Sequence, residues 1–304
     1  MTYFGTIKSA LDQLINGVCS HAHTTRERAM VMAGTVLSNM SQEWFNGDRP
    51  TIAYGDPLCR FCYLYAHTAV NANIFDTFVQ RHQPAMDYIL SKMNEDEELR
   101  VCAFGGGPGT ELLALSKLLN RARRRGELTG HGEIRFTILD TTAEWAESWD
   151  TLSDAIRDQL RADYGTRRDW PFTISRNFQP FDMTDVGQFA NLAQLLRQDF
   201  YVMNYVVSEV FGEEVGLGNV IQLMAENAPQ GARFVIVDRD QNGVRDTAQR
   251  LLTSVGLQIE SVTTSSTNMD YDEQASDLGD FYNAIARKPR IQWSGAFGVI
   301  AVKP

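Results

Sequence analysis

A glycine-rich segment between an apolar stretch and a helical stretch constrains this chain more than any other feature. Residues 99–104 are apolar over the length of a buried strand, and residues 111–120 carry the leucine spacing of a helix. Between them, residues 105–109 read Gly-Gly-Gly-Pro-Gly. Glycine lets the backbone turn sharply and approach a ligand closely, and the N-terminus of the following helix carries partial positive charge. The segment predicts a strand–loop–helix unit that either cradles a ligand or is a tight turn without one.

The last two thirds of the chain alternate short apolar runs with helix-length segments. The apolar runs span residues 99–104, 134–139, 200–207, 234–237 and 297–302. Alternation of this kind is typical of a parallel sheet that helices cover on both faces. We therefore predict a doubly wound α/β domain over residues 98–304.

The first 97 residues carry helical signals and almost no strand signals. Apolar residues near the start recur every three or four positions, and a capping-box pattern begins at Thr24. Asp56 and Pro57 can open another helix as its cap and its first residue, and a further helix is expected near residues 84–93. We predict an N-terminal helical cap over residues 1–97.

Charge and composition exclude several classes of protein. The 28 lysines and arginines against 38 aspartates and glutamates give a formal charge of −10. This charge disfavours a protein that binds a nucleic-acid backbone mainly through its overall charge. No segment approaches the roughly 20 consecutive apolar residues that span a bilayer, and the start lacks the layout of a signal peptide. We expect a soluble, cytoplasmic protein, with the nucleus as an alternative and no membrane partner. The oligomeric state stays open.

The four cysteines are too few for a disulfide framework, which fits a reducing compartment. Cys59 and Cys62 form a Cys-x-x-Cys pair, but structural zinc requires four ligands and no second pair with suitable spacing exists. We expect the start of a helix with two cysteines facing the core, and no metal site.

Asp140 closes the second apolar run, where an acid can accept hydrogen bonds from both hydroxyls of a ribose. It lies 31 positions after Gly109, beyond the usual spacing of about 20, and the charged insert 121–133 accounts for the excess. The alternative is a solvated residue at a strand end. The loop lacks the Gly-Lys-Ser/Thr ending of a P-loop and does not continue as Gly-x-Gly-x-x-Gly, which disfavours ATP, GTP, NAD and FAD.

Taken together, these motifs resemble the class I S-adenosylmethionine-dependent methyltransferases, a Rossmann-like family. Segments 181–183, 199–205 and 294–302 resemble the regions that follow the third strand, form the fourth strand and form the last strand. The resemblance implies a mostly parallel seven-stranded sheet with an antiparallel last strand, and S-adenosylmethionine as cofactor. It assigns cofactor binding to Gly105, Gly106, Gly107, Gly109, Asp140, Thr141, Asp182, Met183, Asn204 and Tyr205.

One position departs from the family pattern. Many members have an acid two positions before the first loop glycine, and this chain has Ala103 there. The methionine amino group of the cofactor would then be held by backbone carbonyls or by the helical region. The departure also keeps open a cofactor-binding protein without transfer activity.

The acceptor side offers few groups that can move a proton. Tyr63, His67 and Asn71 are four apart and would share one helix face, while Ser208 and Glu209 follow the fourth strand. We predict His67 and Glu209 as catalytic residues and Tyr63, Asn71 and Ser208 as substrate-binding residues. For His67, the alternative is that its helix only packs on the sheet. For Glu209, the alternatives are binding of a substrate amine or a charge at a helix N-terminus.

The acceptor is predicted to be a small molecule, or another oxygen or nitrogen acceptor, held between the helical cap and the sheet. The alternative is RNA, because the chain is loosely similar to fungal ribosomal-RNA uridine methyltransferases with a helical N-terminal part and a triple-glycine loop. Arg121, Arg123, Arg124, Arg167 and Arg168 would support RNA if they gathered at the mouth of the site. A run of this kind is otherwise a solvated helix end.

Overall fold

The fold is built on one seven-stranded sheet flanked by helices. The computed structural model describes residues 1–46, 52–95, 97–185, 187–188, 195, 197–212, 214–241, 243–269 and 271–304. The strands are β1 (Glu98–Phe104), β2 (Gly132–Asp140), β3 (Phe172–Pro180), β4 (Phe200–Asn204), β5 (Arg233–Arg239), β6 (Gln258–Asn268) and β7 (Gln292–Val302).

The helices fall into an N-terminal group and a group that connects the strands. The N-terminal helices are α1 (Tyr3–His21), α2 (Arg26–Asn46), α3 (Pro57–Ala66), α4 (Thr68–Arg81) and α5 (Gln83–Asn94). The others are α6 (Thr110–Arg124), α7 (Trp145–Tyr164), α8 (Val206–Glu209), α9 (Glu214–Asn227), α10 (Val244–Ser254), α11 (Tyr271–Leu278) and α12 (Asp280–Ala284). Among the described helices, none has both the length and the apolar character that crossing a bilayer would need.

The strands run in the order β3-β2-β1-β4-β5-β7-β6. All pairs from β3 to β5 are parallel, and β7 lies antiparallel between β5 and β6. The predicted α/β fold, with its mostly parallel sheet and antiparallel last strand, is confirmed. The chain order reverses between β1 and β4, and ligands of open α/β sheets bind outside the carboxyl ends of the strands at such a point.

Two of the seven strands were not predicted, because their sequences contain no continuous apolar run. β3 and β6 are the two edge strands, and the side chains of β6 alternate between half-buried and exposed. An edge strand needs only one apolar face, so its sequence does not form a continuous apolar run. The predicted run 200–207 is also too long for its strand, because Tyr205 adopts φ +65° and helix α8 starts at Val206.

Local signals placed the N-terminal helices well. Asp56 caps α3 by accepting a hydrogen bond from the Leu58 amide at 2.8 Å. The helix expected through Tyr63, His67 and Asn71 is interrupted, because α3 ends at Ala66 and α4 begins at Thr68. Backbone bonds from His67 to Tyr63 and from Asn71 to His67 nevertheless preserve the helical spacing.

Each sheet face has its own hydrophobic cluster. The cluster on one face joins side chains of the N-terminal helices to those of α6 and α7, and the other gathers α9 and α10. Cys62 is buried in the first cluster, and Cys59 and Cys62 belong to no group of three or more potential metal ligands within the described residues. The polar sequence of residues 46–54, with its glycine and proline, predicts a loop, of which residues 47–51 lie outside the described residues. The division of the chain at residue 97 stays a prediction.

Close packing of α4 on β7 yields a test of this arrangement. A Cβ on Gly298 would lie 2.6 Å from the Phe78 ring, so Gly298→Ala is expected to lower the free energy of unfolding by about 1–3 kcal/mol. Gly34→Ala in α2 is the control, because its Cβ would meet nothing closer than 3.4 Å and alanine favours the helix. Urea titration measures both variants. Equal stability of the two would contradict the packing.

Candidate functional site

The glycine loop joins the end of β1 to the start of α6. Gly105, Gly107 and Gly109 have φ of +57°, +47° and +87°, a region that favours glycine. A Cβ on Gly109 would lie 2.3 Å from the ring of Trp149, so the turn also depends on the absence of a side chain. The Gly105 amide donates to the carbonyl of Leu139 at 2.8 Å, which holds the loop against β2.

Asp140 orders this loop from the end of β2. Its Oδ2 accepts from the Gly107 amide at 3.0 Å and its Oδ1 accepts from the Thr142 amide at 2.9 Å. Burial raises the pKa of Asp140 to about 6, and the two amide bonds act in the opposite direction. A carboxylate has about four acceptor sites, so these two bonds leave capacity for ligand hydroxyls.

Three aromatic rings stand between the loop and a neighbouring cavity; we call them the aromatic cover. They are Tyr54, Tyr63 and Trp145. The Trp145 ring lies 3.6 Å from the position of a Cβ on Gly107, and its centroid is 5.0 Å from Tyr54 and 5.4 Å from Tyr63. Tyr54 and Tyr63 also line the cavity, so the aromatic cover contacts the glycine loop through Trp145 and the cavity through the two tyrosines.

Glu111 and Asn204 form a buried pair beside the loop. Asn204 Nδ2 donates to Glu111 Oε1 at 3.0 Å, whereas Glu111 Oε2 and Asn204 Oδ1 are buried and have no hydrogen-bond partner among the described residues. Burial raises the pKa of Glu111 to about 7. Sequence reasoning missed Glu111, although an acid in the first turn after the loop was the signal that could have identified it.

The other predicted cofactor residues differ in their surroundings. Met183 lies beside the loop, with its Cε 3.6 Å from the position of a Cβ on Gly105. The Asp182 carboxylate is engaged by the amide and hydroxyl of Thr184, and Thr141 is exposed. The Tyr205 hydroxyl is buried without a partner among the described residues.

A cavity of about 540 Å³ lies between the N-terminal helices and the carboxyl ends of β4 and β5. Tyr63, His67 and Asn71 share its wall, as predicted from their spacing. The Tyr63 and His67 ring centroids are 5.5 Å apart, and Asn71 Nδ2 donates to the Tyr63 hydroxyl at 3.3 Å. Glu209 lines the same cavity, whereas the Ser208 hydroxyl donates to the Tyr205 carbonyl at 3.2 Å.

The surroundings of the cavity shift the pKa values of His67 and Glu209 in opposite directions. Burial, reinforced by three nearby arginines, lowers the pKa of His67 to about 3, so the imidazole is neutral at physiological pH. The Glu209 side chain is exposed toward the cavity; desolvation by the surrounding protein, together with Asp238 and Asp140, raises its pKa to about 7, and Arg239 acts in the opposite direction. Of the two, Glu209 has the pKa that suits a proton acceptor near neutral pH.

The arginines singled out in the sequence lie elsewhere. Arg121 pairs with Asp76 and Arg124 with Asp163, at the end of α6 that is remote from the loop. Arg167 and Arg168 form a short turn ahead of β3, at the amino edge of the sheet. The cavity instead takes its positive charge from Arg239 and from three neighbouring cations, Arg287, Lys288 and Arg290.

Comparisons with known proteins find no matching protein family and no matching curated protein. Among solved structures, the chain is similar to the N-methyltransferase NodS from Bradyrhizobium japonicum, at 12% identity and TM-score 0.39 over 76% of this chain and 98% of NodS. It is also similar to the CurJ carbon methyltransferase, at 12% identity and TM-score 0.45 over 96% of this chain and 70% of CurJ. A third similar structure is the [4+2]-cyclase SpnF, at 11% identity and TM-score 0.39 over 74% of this chain and 83% of SpnF. The fold assignment rests on the strand order of this chain itself.

The raised pKa of Glu209 makes stability depend on pH. Between its ordinary value of 4.5 and about 7, the folded protein holds a proton that the unfolded chain has released. The free energy of unfolding therefore falls as pH rises through this window. Glu209→Gln is expected to reduce the drop in Tm between about pH 5 and pH 8, while exposed Glu226→Gln on α9 keeps the wild-type drop. If the wild type and both variants showed the same change of Tm with pH, the raised pKa of Glu209 would be refuted.

Proposed function

We propose that this protein binds S-adenosylmethionine at the glycine loop and transfers its methyl group to an oxygen or nitrogen of an acceptor in the cavity. The observation that carries the proposal is the bond between Asp140 and the Gly107 amide. It orders the glycine-rich loop at the point where the sheet order reverses, and leaves acceptor capacity for ribose hydroxyls.

The residues beside the loop fit the charged end of this cofactor. A methionine ammonium is a donor-only group, and Glu111 Oε2 and Asn204 Oδ1 are buried acceptors with no partner among the described residues. A buried acceptor without a donor costs free energy, which a bound ammonium would recover. Glu111 thereby supplies the acid that the family pattern has at the position of Ala103.

The methyl step requires positioning and one proton acceptor. When bound, the cofactor would supply an electrophilic methyl carbon on a positively charged sulfur, and sulfur would keep the electron pair of the carbon–sulfur bond that breaks. Glu209 takes the proton that the acceptor atom loses, and Tyr63 and Asn71 orient the acceptor. His67, being neutral, serves as a hydrogen-bonding group in the wall; we no longer assign it proton transfer.

A small acceptor is favoured over RNA. Of the arginines that would have indicated RNA, Arg121 and Arg124 pair with aspartates and Arg123 donates to the backbone carbonyls of Leu128 and Thr129. Arg167 and Arg168 lie at the amino edge of the sheet, and none of the five lines the cavity. The cavity volume of about 540 Å³ is within the range of small-molecule sites.

Calorimetry with S-adenosylmethionine and S-adenosylhomocysteine tests cofactor binding. Asp140→Asn keeps the size of the side chain but removes its charge, and we expect affinity to fall about tenfold or more. Asp158→Asn, an exposed change on α7, should bind like the wild type. Thermal melts verify that each variant is folded. If the wild type binds neither ligand at about millimolar concentration, the proposal is wrong.

A truncated ligand isolates the role of Glu111. Glu111→Gln removes the carboxylate charge, so S-adenosylhomocysteine should bind about tenfold or more weakly at a pH where Glu111 is ionised. Methylthioadenosine has no ammonium, and its affinity should not change. Equal losses for both ligands would mean that Glu111 only supports the structure of the loop.

A further inference from the structure

The cavity gathers positive charge in a protein of negative charge. Among its lining residues, Arg239, Arg287, Lys288 and Arg290 are cationic and Glu209 is acidic. The whole chain has a formal charge of −10. Arg239 comes from the end of β5 and the other three from the segment between α12 and β7, so the fold brings Arg239 to a cluster of cations that are neighbours in sequence.

These cations make no ion pair with any carboxylate in the part of the chain that the structure describes. Arg287 Nη2 donates to Ser41 Oγ at 2.6 Å, and the Arg290 guanidinium lies 3.7 Å from the centroid of the Trp293 ring. Lys288 bonds two backbone carbonyls, those of Tyr282 and Ile285. The Nε of Arg239 is buried and has no partner among the described residues.

Other buried or half-buried arginines in the molecule do pair with carboxylates. Arg121 pairs with Asp76, and Arg60 pairs with Glu147 at 2.8 Å. In the cavity, burial and the proximity of Arg239 and Arg287 lower the pKa of Arg290, which expresses the cost of holding these charges together. A bound anion would offset that cost, and arginine offers paired donors to phosphate and carboxylate oxygens.

We propose that the acceptor is a small molecule carrying a phosphate or carboxylate group, which Arg239, Arg287 and Arg290 bind. The nucleophilic atom of the acceptor then lies toward Glu209, the acidic residue of the same wall. The identification of this anion as the methyl acceptor rests on the function proposed above, whereas anion binding does not.

Calorimetry at low ionic strength tests anion binding directly, with inorganic pyrophosphate and benzoate as probes of the two chemistries. One of them should bind the wild type, and Arg239→Gln and Arg290→Gln should each weaken binding about tenfold or more. Arg168→Gln, on the short turn ahead of β3, is the matched control and should bind like the wild type. Failure of both probes at about 10 mM, or equal weakening by Arg168→Gln, overturns the proposal.

Two further measurements separate this inference from its alternatives. S-adenosylhomocysteine should bind Arg239→Gln and Arg290→Gln as it binds the wild type, so failure of cofactor binding and failure of anion binding are distinguishable. A short single-stranded RNA is the third probe. If it binds about tenfold more tightly than pyrophosphate and depends on Arg239 and Arg290, the small acceptor is wrong and RNA takes its place.

Discussion

The hydrogen bond from the Gly107 amide to Asp140 is the interaction on which the site depends. It ties the turn after β1 to the end of β2, and so fixes where α6 begins. The first turn of α6 then brings Glu111 to the side chain of Asn204 at the end of β4. The Gly107–Asp140 bond thus links the ends of β1 and β2, the Asn204–Glu111 bond adds the end of β4, and the candidate cofactor groups come from these three strand ends.

Proton chemistry in the cavity follows from burial and charge more than from residue type. Histidine is the side chain that ordinarily titrates near neutral pH, yet His67 is surrounded by arginines and buried surface that disfavour its cation. Glu209 shares the cavity with these arginines, yet desolvation together with Asp238 and Asp140 outweighs the effect of Arg239 and favours its protonated form. The glutamate therefore acquires the titration range that the histidine loses.

What the sequence predicted was what local rules determine. The strand–loop–helix unit and the Asp56 cap depend on neighbouring residues, and both are present. Strands β3 and β6 were not predicted, because an edge strand needs only half the apolar residues of a buried one. The cluster of cations in the cavity could not be predicted, because Arg239 and Arg290 come to line one cavity only through the pairing of β7 with β5. Likewise the break at His67 depends on tertiary packing, since its backbone bonds remain helical.

The aromatic cover has a thermodynamic consequence. Trp145 rests on the loop, whereas Tyr54 and Tyr63 face the cavity, and the three rings contact one another. A ligand that displaces Trp145 therefore reshapes the wall met by a ligand in the cavity. Any free energy by which the first occupant favours the second must be returned in equal measure by the second to the first. The proposed cofactor site at the loop and the cavity share one set of rings, so the affinity at either place is expected to depend on whether the other is occupied.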